Sequence, residues 1–152
     1  MNRIFRNILF IFPPAGRYTV RAKTSGPWET KMHILLVDDN RAMRRILRRT
    51  LRAAGFCAHE VSEAVNGEMA LESIKSTAPD VVLSEWCMPC MNGIELLEAL
   101  NHQGIKTTFG FVTAESSNEM RKRATDAGAR FMLNKPFTPE SFHSALEPIL
   151  QA

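Results

Sequence analysis

Apolar runs and amphipathic stretches alternate along most of this chain. Residues 32–37 (Met-His-Ile-Leu-Leu-Val) carry no acid, lysine or arginine, as a strand buried on both faces of a parallel sheet requires. Asn40 is placed to cap a helix over residues 40–54, with Gly55 as its terminator. Residues 56–61 are expected to form the second strand, with Cys57 as a small buried residue within it. Asn66-Gly67 opens a helix to Thr77, and Pro79-Asp80 introduces a third strand over residues 81–85. The pattern then predicts a helix over 93–102, a strand over 106–112, a helix over 115–127 closed by Gly128, and a strand over 130–133. Thr138-Pro139 starts a last helix with a capping side chain and a proline at its first position, and Pro148 is expected to end or kink it. Five β-α units in succession predict an α/β fold, a doubly wound parallel sheet whose active groups gather at the carboxyl ends of the strands. No internal repeat interrupts the series.

Charge is unevenly spread over this single-domain length. Residues 1–31 hold six basic side chains and one acid, whereas residues 32–152 hold thirteen basic and fifteen acidic ones. The sequence pI near 9.0 therefore belongs to the first segment and says little about what the domain binds. That segment has apolar residues at 4–5 and 8–12, far short of a membrane span of ~20 residues, and no clean signal-peptide cleavage site. Its prolines and glycines argue against packed structure. Two readings stay open for residues 1–31: an unstructured extension, or a segment upstream of a true start at Met32. Residues 32–152 form the domain, and three cysteines without a framework point to the cytoplasm rather than to secretion.

The first helix carries Arg41, Arg44, Arg45, Arg48, Arg49 and Arg52 at helical spacing, with Met43, Ile46, Leu47, Thr50, Leu51 and Ala54 opposite. A solvated outer face explains the periodicity. Six arginines without an acid among them also suit docking to an acidic protein partner. No nucleic-acid partner is expected, because no helix-turn-helix or recognition element accompanies the stripe.

Four predicted strands end in polar groups: Asp38-Asp39, Glu85, Thr113 and Lys135. Adjacent carboxylates repel unless a positive charge lies between them, and a hard divalent cation with oxygen ligands answers that need. A hydroxyl and an ammonium beside such a cation would orient a tetrahedral oxyanion. Each residue alone has an ordinary reading as a cap or a solvated charge. Their joint placement at the ends of strands one, three, four and five is what points to a phosphoryl and metal pocket.

With these motifs in place, the chain resembles a bacterial response-regulator receiver domain over residues 32–150. The resemblance rests on Val37-Asp38-Asp39-Asn40, the stretch from Pro79 to Gly93 containing Trp86, Met88-Pro89 and Met91, Thr113-Ala114, and Lys135-Pro136-Phe137. It implies a flavodoxin-like (βα)5 sheet of strand order 2-1-3-4-5 and a cis Lys135-Pro136 bond. It further implies magnesium held by Asp38, Asp39, the acceptor carboxylate at position 85 and the backbone carbonyl of Cys87, with Thr113 and Lys135 on the phosphoryl oxygens. The implied partners are a histidine kinase or phosphotransfer protein and a downstream protein target. The implied role is signal transduction by contact rather than enzymatic turnover, with no output domain expected after the last helix.

Two residues depart from the family pattern. Glu85 stands where the family carries the aspartate that accepts the phosphoryl group. Its extra methylene moves the carboxylate by about one bond length into the phosphoryl's space, and a misplacement of ~1 Å costs about 100-fold in rate. Met132 stands at the switch position usually held by an aromatic, with Phe131 one place off register. Ordinary phosphorylation control is therefore expected to be impaired. Glu85 then either holds an active-like state by reaching Lys135 or a cation, or fixes the fold without switching. The family's output face would carry Arg121-Lys122-Arg123 and Phe142-His143.

A reading from another class rests on Trp86-Cys87-Met88-Pro89-Cys90, which is similar to the thioredoxin motif, where a helix N-terminus lowers a cysteine pKa. It would make the chain a thiol-disulfide protein, or a receiver whose pocket is gated by a Cys87–Cys90 disulfide. His33, His59 and His102 show no metal-ligand spacing.

Overall fold

The structure, a computed structural model, describes residues 31–150. The expectation about the N-terminal extension lies outside those residues. The elements run β1 (His33–Val37), α1 (Arg41–Ala53), β2 (Glu60–Ala64), α2 (Gly67–Thr77), β3 (Val81–Ser84), α3 (Gly93–His102), β4 (Thr108–Thr113), α4 (Asn118–Asp126), β5 (Phe131–Asn134) and α5 (Pro139–Leu150). All four strand pairings are parallel, in the order β2-β1-β3-β4-β5.

Side chains alternate across the strands and feed two apolar layers. Leu35, Val37, Val82, Phe109 and Phe111 pack on one face with residues of α2, α3 and α4. Ile34, Leu36, Val81, Leu83 and Val112 pack on the other with Leu47, Leu51, Phe142 and Leu146 of α1 and α5. The near-continuous apolar runs of β1, β3 and β4 follow from burial on both faces. Helix starts are set by side-chain caps: Asn40, Asn66, Asn92 and Ser117 each accept a hydrogen bond from a first-turn N–H. The Lys135-Pro136 bond is cis, as the resemblance implied. No helix among the described residues is long and apolar enough to cross a membrane.

Several expectations shift. The second strand begins at Glu60, not at residue 56, because Phe56 N–H donates to Leu51 O at 3.0 Å and His59 N–H to Phe56 O at 3.3 Å, forming a turn. Phe56 is buried as a core residue of that turn, and Cys57 is exposed rather than buried. The fourth helix starts at Asn118, where Ser117 caps it, not at residue 115. Pro148 does not end α5: it sits within the helix, which continues to Leu150. So near the end, its missing N–H costs a single link. Phe142 is fully buried, so it belongs to the core and not to a surface.

The first helix is rotated relative to its predicted faces. Ile46, expected to face the core, is 47% exposed, whereas Arg44, expected outside, is 8% exposed. Arg44 Nε donates to Glu63 at 2.8 Å and its Nη1 to the Asp38 carbonyl at 2.7 Å. Arg48 is half-buried and bonds Glu63 and the Val61 carbonyl. Only Arg41, Arg45, Arg49 and Arg52 of the six remain exposed.

Candidate functional site

Parallel strands that end together deliver their last residues to one edge of the sheet. Asp38 follows β1, Glu85 follows β3, Thr113 ends β4 and Lys135 follows β5. Three of these four side chains are joined directly. Lys135 Nζ donates to Asp38 Oδ2 at 3.0 Å and to Glu85 Oε2 at 2.5 Å. Asp38, Glu85 and Thr113 are buried, at 1%, 9% and 2% exposure. Thr113 joins the group through its backbone, its carbonyl accepting from Lys135 N–H at 2.9 Å. Among the described residues its hydroxyl makes no hydrogen bond to either carboxylate.

Glu85 uses both carboxylate oxygens. While Oε2 takes the ammonium, Oε1 accepts from the backbone N–H of Trp86 at 2.6 Å and of Cys87 at 3.3 Å. The bend after β3 makes this possible. Gly93 N–H donates to the Trp86 carbonyl at 2.8 Å, and the Trp86 ring lies 4.8 Å from that of Phe111. Gly93 is required there because a Cβ would collide with the Glu85 carbonyl and press on Ser84 and Phe111. Gly93→Ala is expected to destabilise the domain by ~1–3 kcal/mol, read as a lower urea midpoint. An unchanged midpoint would show that the strand end can yield.

Burial alone would lower the Lys135 pKa. The hydrogen bonds that Lys135 donates to Glu85 and Asp38, with the charges of those carboxylates, outweigh it and leave the pKa raised. The remaining oxygen of Asp38 accepts from Asn40 N–H at 2.8 Å. Asp39 is exposed and makes no hydrogen bond among the described residues.

As metal donors these residues fit a hard cation in type: two aspartates and a backbone carbonyl are oxygen ligands of the kind magnesium takes. Among the described residues, however, no three His, Cys, Asp or Glu side chains group as metal ligands. Glu85 is turned toward Lys135, whose ammonium supplies the pocket's positive charge. The same ammonium holds Asp38, so of the three acidic side chains only Asp39 is left without a hydrogen bond among the described residues.

Met132 is half-buried and packs against the apolar layer that contains Phe111, its register partner on β4. The side chains of the four exposed arginines of α1 make no ion pair or hydrogen bond among the described residues. Sequence reasoning missed Glu63, which holds Arg44 and Arg48, and missed Arg44 as the support of the Asp38 backbone. Hydrogen bonding from Arg44 is the largest influence lowering the Glu63 pKa. An acid in the second strand opposite a helical arginine was the available signal, but only once that strand was correctly placed.

Cys87 does not head a helix, since α3 starts at Gly93. Its thiol pKa is raised, first by burial and then by the charges of Glu85 and Glu115. That is opposite to the thioredoxin-like expectation.

Comparison with known proteins agrees with this geometry. Residues 34–147 match the model of the response regulator receiver domain. The chain is 36% identical over 126 residues to the chemotaxis protein CheY-3 of Vibrio cholerae, covering 79% of this chain and 92% of that one. It is also 36% identical over 120 residues to the response regulator MprA of Mycolicibacterium vanbaalenii, of which it spans 51%. Among solved structures, the V. cholerae chemotaxis protein CheY4 is similar at a TM-score of 0.70 and 32% identity, covering 79% of this chain and 99% of that one. A CheY-like receiver domain protein from Methanospirillum hungatei has a TM-score of 0.70 and 26% identity, with 80% and 94% covered.

Proposed function

The chain belongs to the family of response regulator receiver domains, and from that membership we propose that it relays signals by protein–protein contact with ordinary phosphorylation impaired at position 85. Receiver domains are signalling domains that meet histidine kinases or phosphotransfer proteins and downstream targets. Here Asp38, Asp39 and the Cys87 carbonyl would hold magnesium, and Thr113 and Lys135 would face the phosphoryl oxygens. When bound, the cation would offset the negative charge that gathers around an incoming phosphoryl group. Met132 takes the switch position, and the exposed members of the α1 stripe, Arg41, Arg45, Arg49 and Arg52, offer the docking face, backed by Arg44 and Arg48. The cytoplasm is the compartment this role calls for, and residues 32–152 form the unit that performs it.

One observation carries the reading: the Glu85 carboxylate occupies the donors that a phosphoryl group would need. Its two oxygens span Lys135 Nζ and the backbone N–H groups of Trp86 and Cys87. An incoming phosphoryl meets a pocket whose donors are already satisfied, and a nucleophile turned away from solvent. Glu85 thus holds Lys135 without a kinase, which favours one fixed signalling state over a cycle. The Thr113 hydroxyl is not drawn into that arrangement, so the fixed state reproduces only part of what a phosphoryl would recruit.

The test is a pull-down from lysate with the native chain, Glu85→Asp and Glu85→Gln, each with and without a small phosphoryl donor. Partners that respond to the donor only in the aspartate form are expected. Donor-responsive binding by the native chain would overturn the proposal.

A further inference from the structure

The loop between β3 and α3 carries two thiols that the receiver reading does not use. Cys87 and Cys90 are both free and exposed. They lie between two fixed posts. At one end Gly93 N–H holds the Trp86 carbonyl at 2.8 Å, and the Trp86 ring packs on Phe111. At the other, Gly67 N–H holds the Met91 carbonyl at 3.0 Å. Gly67 has no room for a side chain there, because a Cβ would meet Met91.

Between the posts the backbone is strained at a cysteine. Cys90 has φ of +68°, and Met91 N–H donates back to the Pro89 carbonyl at 2.9 Å. A hydrogen bond spanning one residue of positive φ is the rare, strained form of the three-residue turn. A non-glycine residue keeps such a conformation only where its surroundings enforce it, and strain of this kind gathers at functional positions. Ala78 is the other described non-glycine residue with positive φ, and it is explained as the terminator of α2. Cys90 terminates nothing.

The loop is also wired to the pocket. Cys87 N–H is the longer of the two backbone bonds to Glu85, 3.3 Å against 2.6 Å for Trp86, so a small shift at Cys87 changes the hold on that carboxylate.

We propose that Cys87 and Cys90 form a reversible disulfide by exchange with a low-molecular-weight disulfide, and that the bridge loosens Glu85 by drawing the Cys87 N–H away from it. The first half stands on the loop alone. The second rests on the pocket described above and refines the proposed function into a receiver whose fixed state responds to thiol oxidation.

The exchange runs in two steps. The thiolate of one cysteine displaces one thiolate from the small disulfide and leaves a mixed disulfide on that cysteine. The other cysteine then gives up its proton and attacks the sulfur of its neighbour, releasing the second small thiolate. Two electrons pass from the protein dithiol to the small disulfide, and the two protein protons end on the two released thiols.

The experiment treats the full chain with glutathione disulfide, quenches with acid, and maps the products by peptide mass spectrometry. In the native chain, loss of two hydrogens from the peptide containing Cys87 and Cys90 is expected, with no glutathione retained there, at a rate independent of protein concentration. Cys87→Ser is expected to stop with one glutathione on Cys90, and Cys90→Ser with one on Cys87. Glutathione accumulating on Cys90 of the native chain without a bridge, or chains linked to each other, would overturn the site. The coupling is read separately, as acetylation of Lys135 by an amine reagent before and after oxidation. A several-fold faster reaction is expected in the oxidised native chain and no change in either serine variant. A bridge that forms without changing Lys135 reactivity would sink the coupling and leave the receiver proposal to its own pull-down test.

Discussion

Glu85→Asp is expected to turn the chain into a phosphoryl acceptor. With magnesium and a small phosphoryl donor, mass spectrometry of the variant should show one stable phosphoryl group at position 85, while the native chain shows none. The native carboxylate reaches Lys135 with one oxygen and the Trp86 and Cys87 amides with the other. Removing one methylene shortens that reach by about one bond, so the three donors are no longer all held by the side chain. A displacement of ~1 Å is worth about 100-fold in rate, so a gain of at least that size separates the two proteins. Stoichiometric modification of native Glu85, or a variant as inert as the native chain, would mean that the methylene is not what closes the pocket. Glu85→Gln serves as the control, since it keeps the length and removes the nucleophile.

Much of the fold was legible because its central strands are buried on both faces. β1, β3 and β4 appear as apolar runs, and α3 coincides with its predicted bounds, Gly93 to His102. β2 was misplaced for a physical reason. As an edge strand its sequence is Glu-Val-Ser-Glu-Ala, with only Ala64 fully buried, so it has no apolar run to find. The run just before it, headed by Phe56, serves the core from a turn.

That Asp38, Glu85 and Lys135 lie together was legible, but their bonding was not. That Asp38 and Lys135 meet, 97 residues apart, follows once the strands are assumed to end together. That Glu85 divides its oxygens between a lysine and two amides depends on the bend at Trp86 and Gly93, which no spacing encodes. The arginine stripe shows the same limit. Helical periodicity groups six arginines, but it cannot register Glu63, 19 residues from Arg44, which draws two of them inward and leaves Ile46 outside.

Lys135→Met removes the charge on which this arrangement turns, while keeping much of the side chain's length. Asp38 and Glu85 would then be buried carboxylates facing each other without a cation, at side-chain exposures of 2% and 10%. Breaking a buried ion pair from one side costs about 3–5 kcal/mol. The lower end is expected, because Glu85 keeps its two amide donors and Asp38 keeps Asn40 N–H. Urea unfolding at neutral pH measures the loss. Magnesium should stabilise the variant more than the native chain. The alkaline limb reports on the ammonium itself. Lys135 has a folded pKa above its ordinary value, so its contribution is fully present below the unfolded lysine value of ~10.4 and is lost as the pH rises through the folded pKa. The native chain should shed this contribution at high pH, and the variant, having none to shed, should converge on it. A variant within about 1 kcal/mol of the native chain at neutral pH, the range of an exposed pair, would show that Lys135 does not hold the pocket and that the fixed state must have another source.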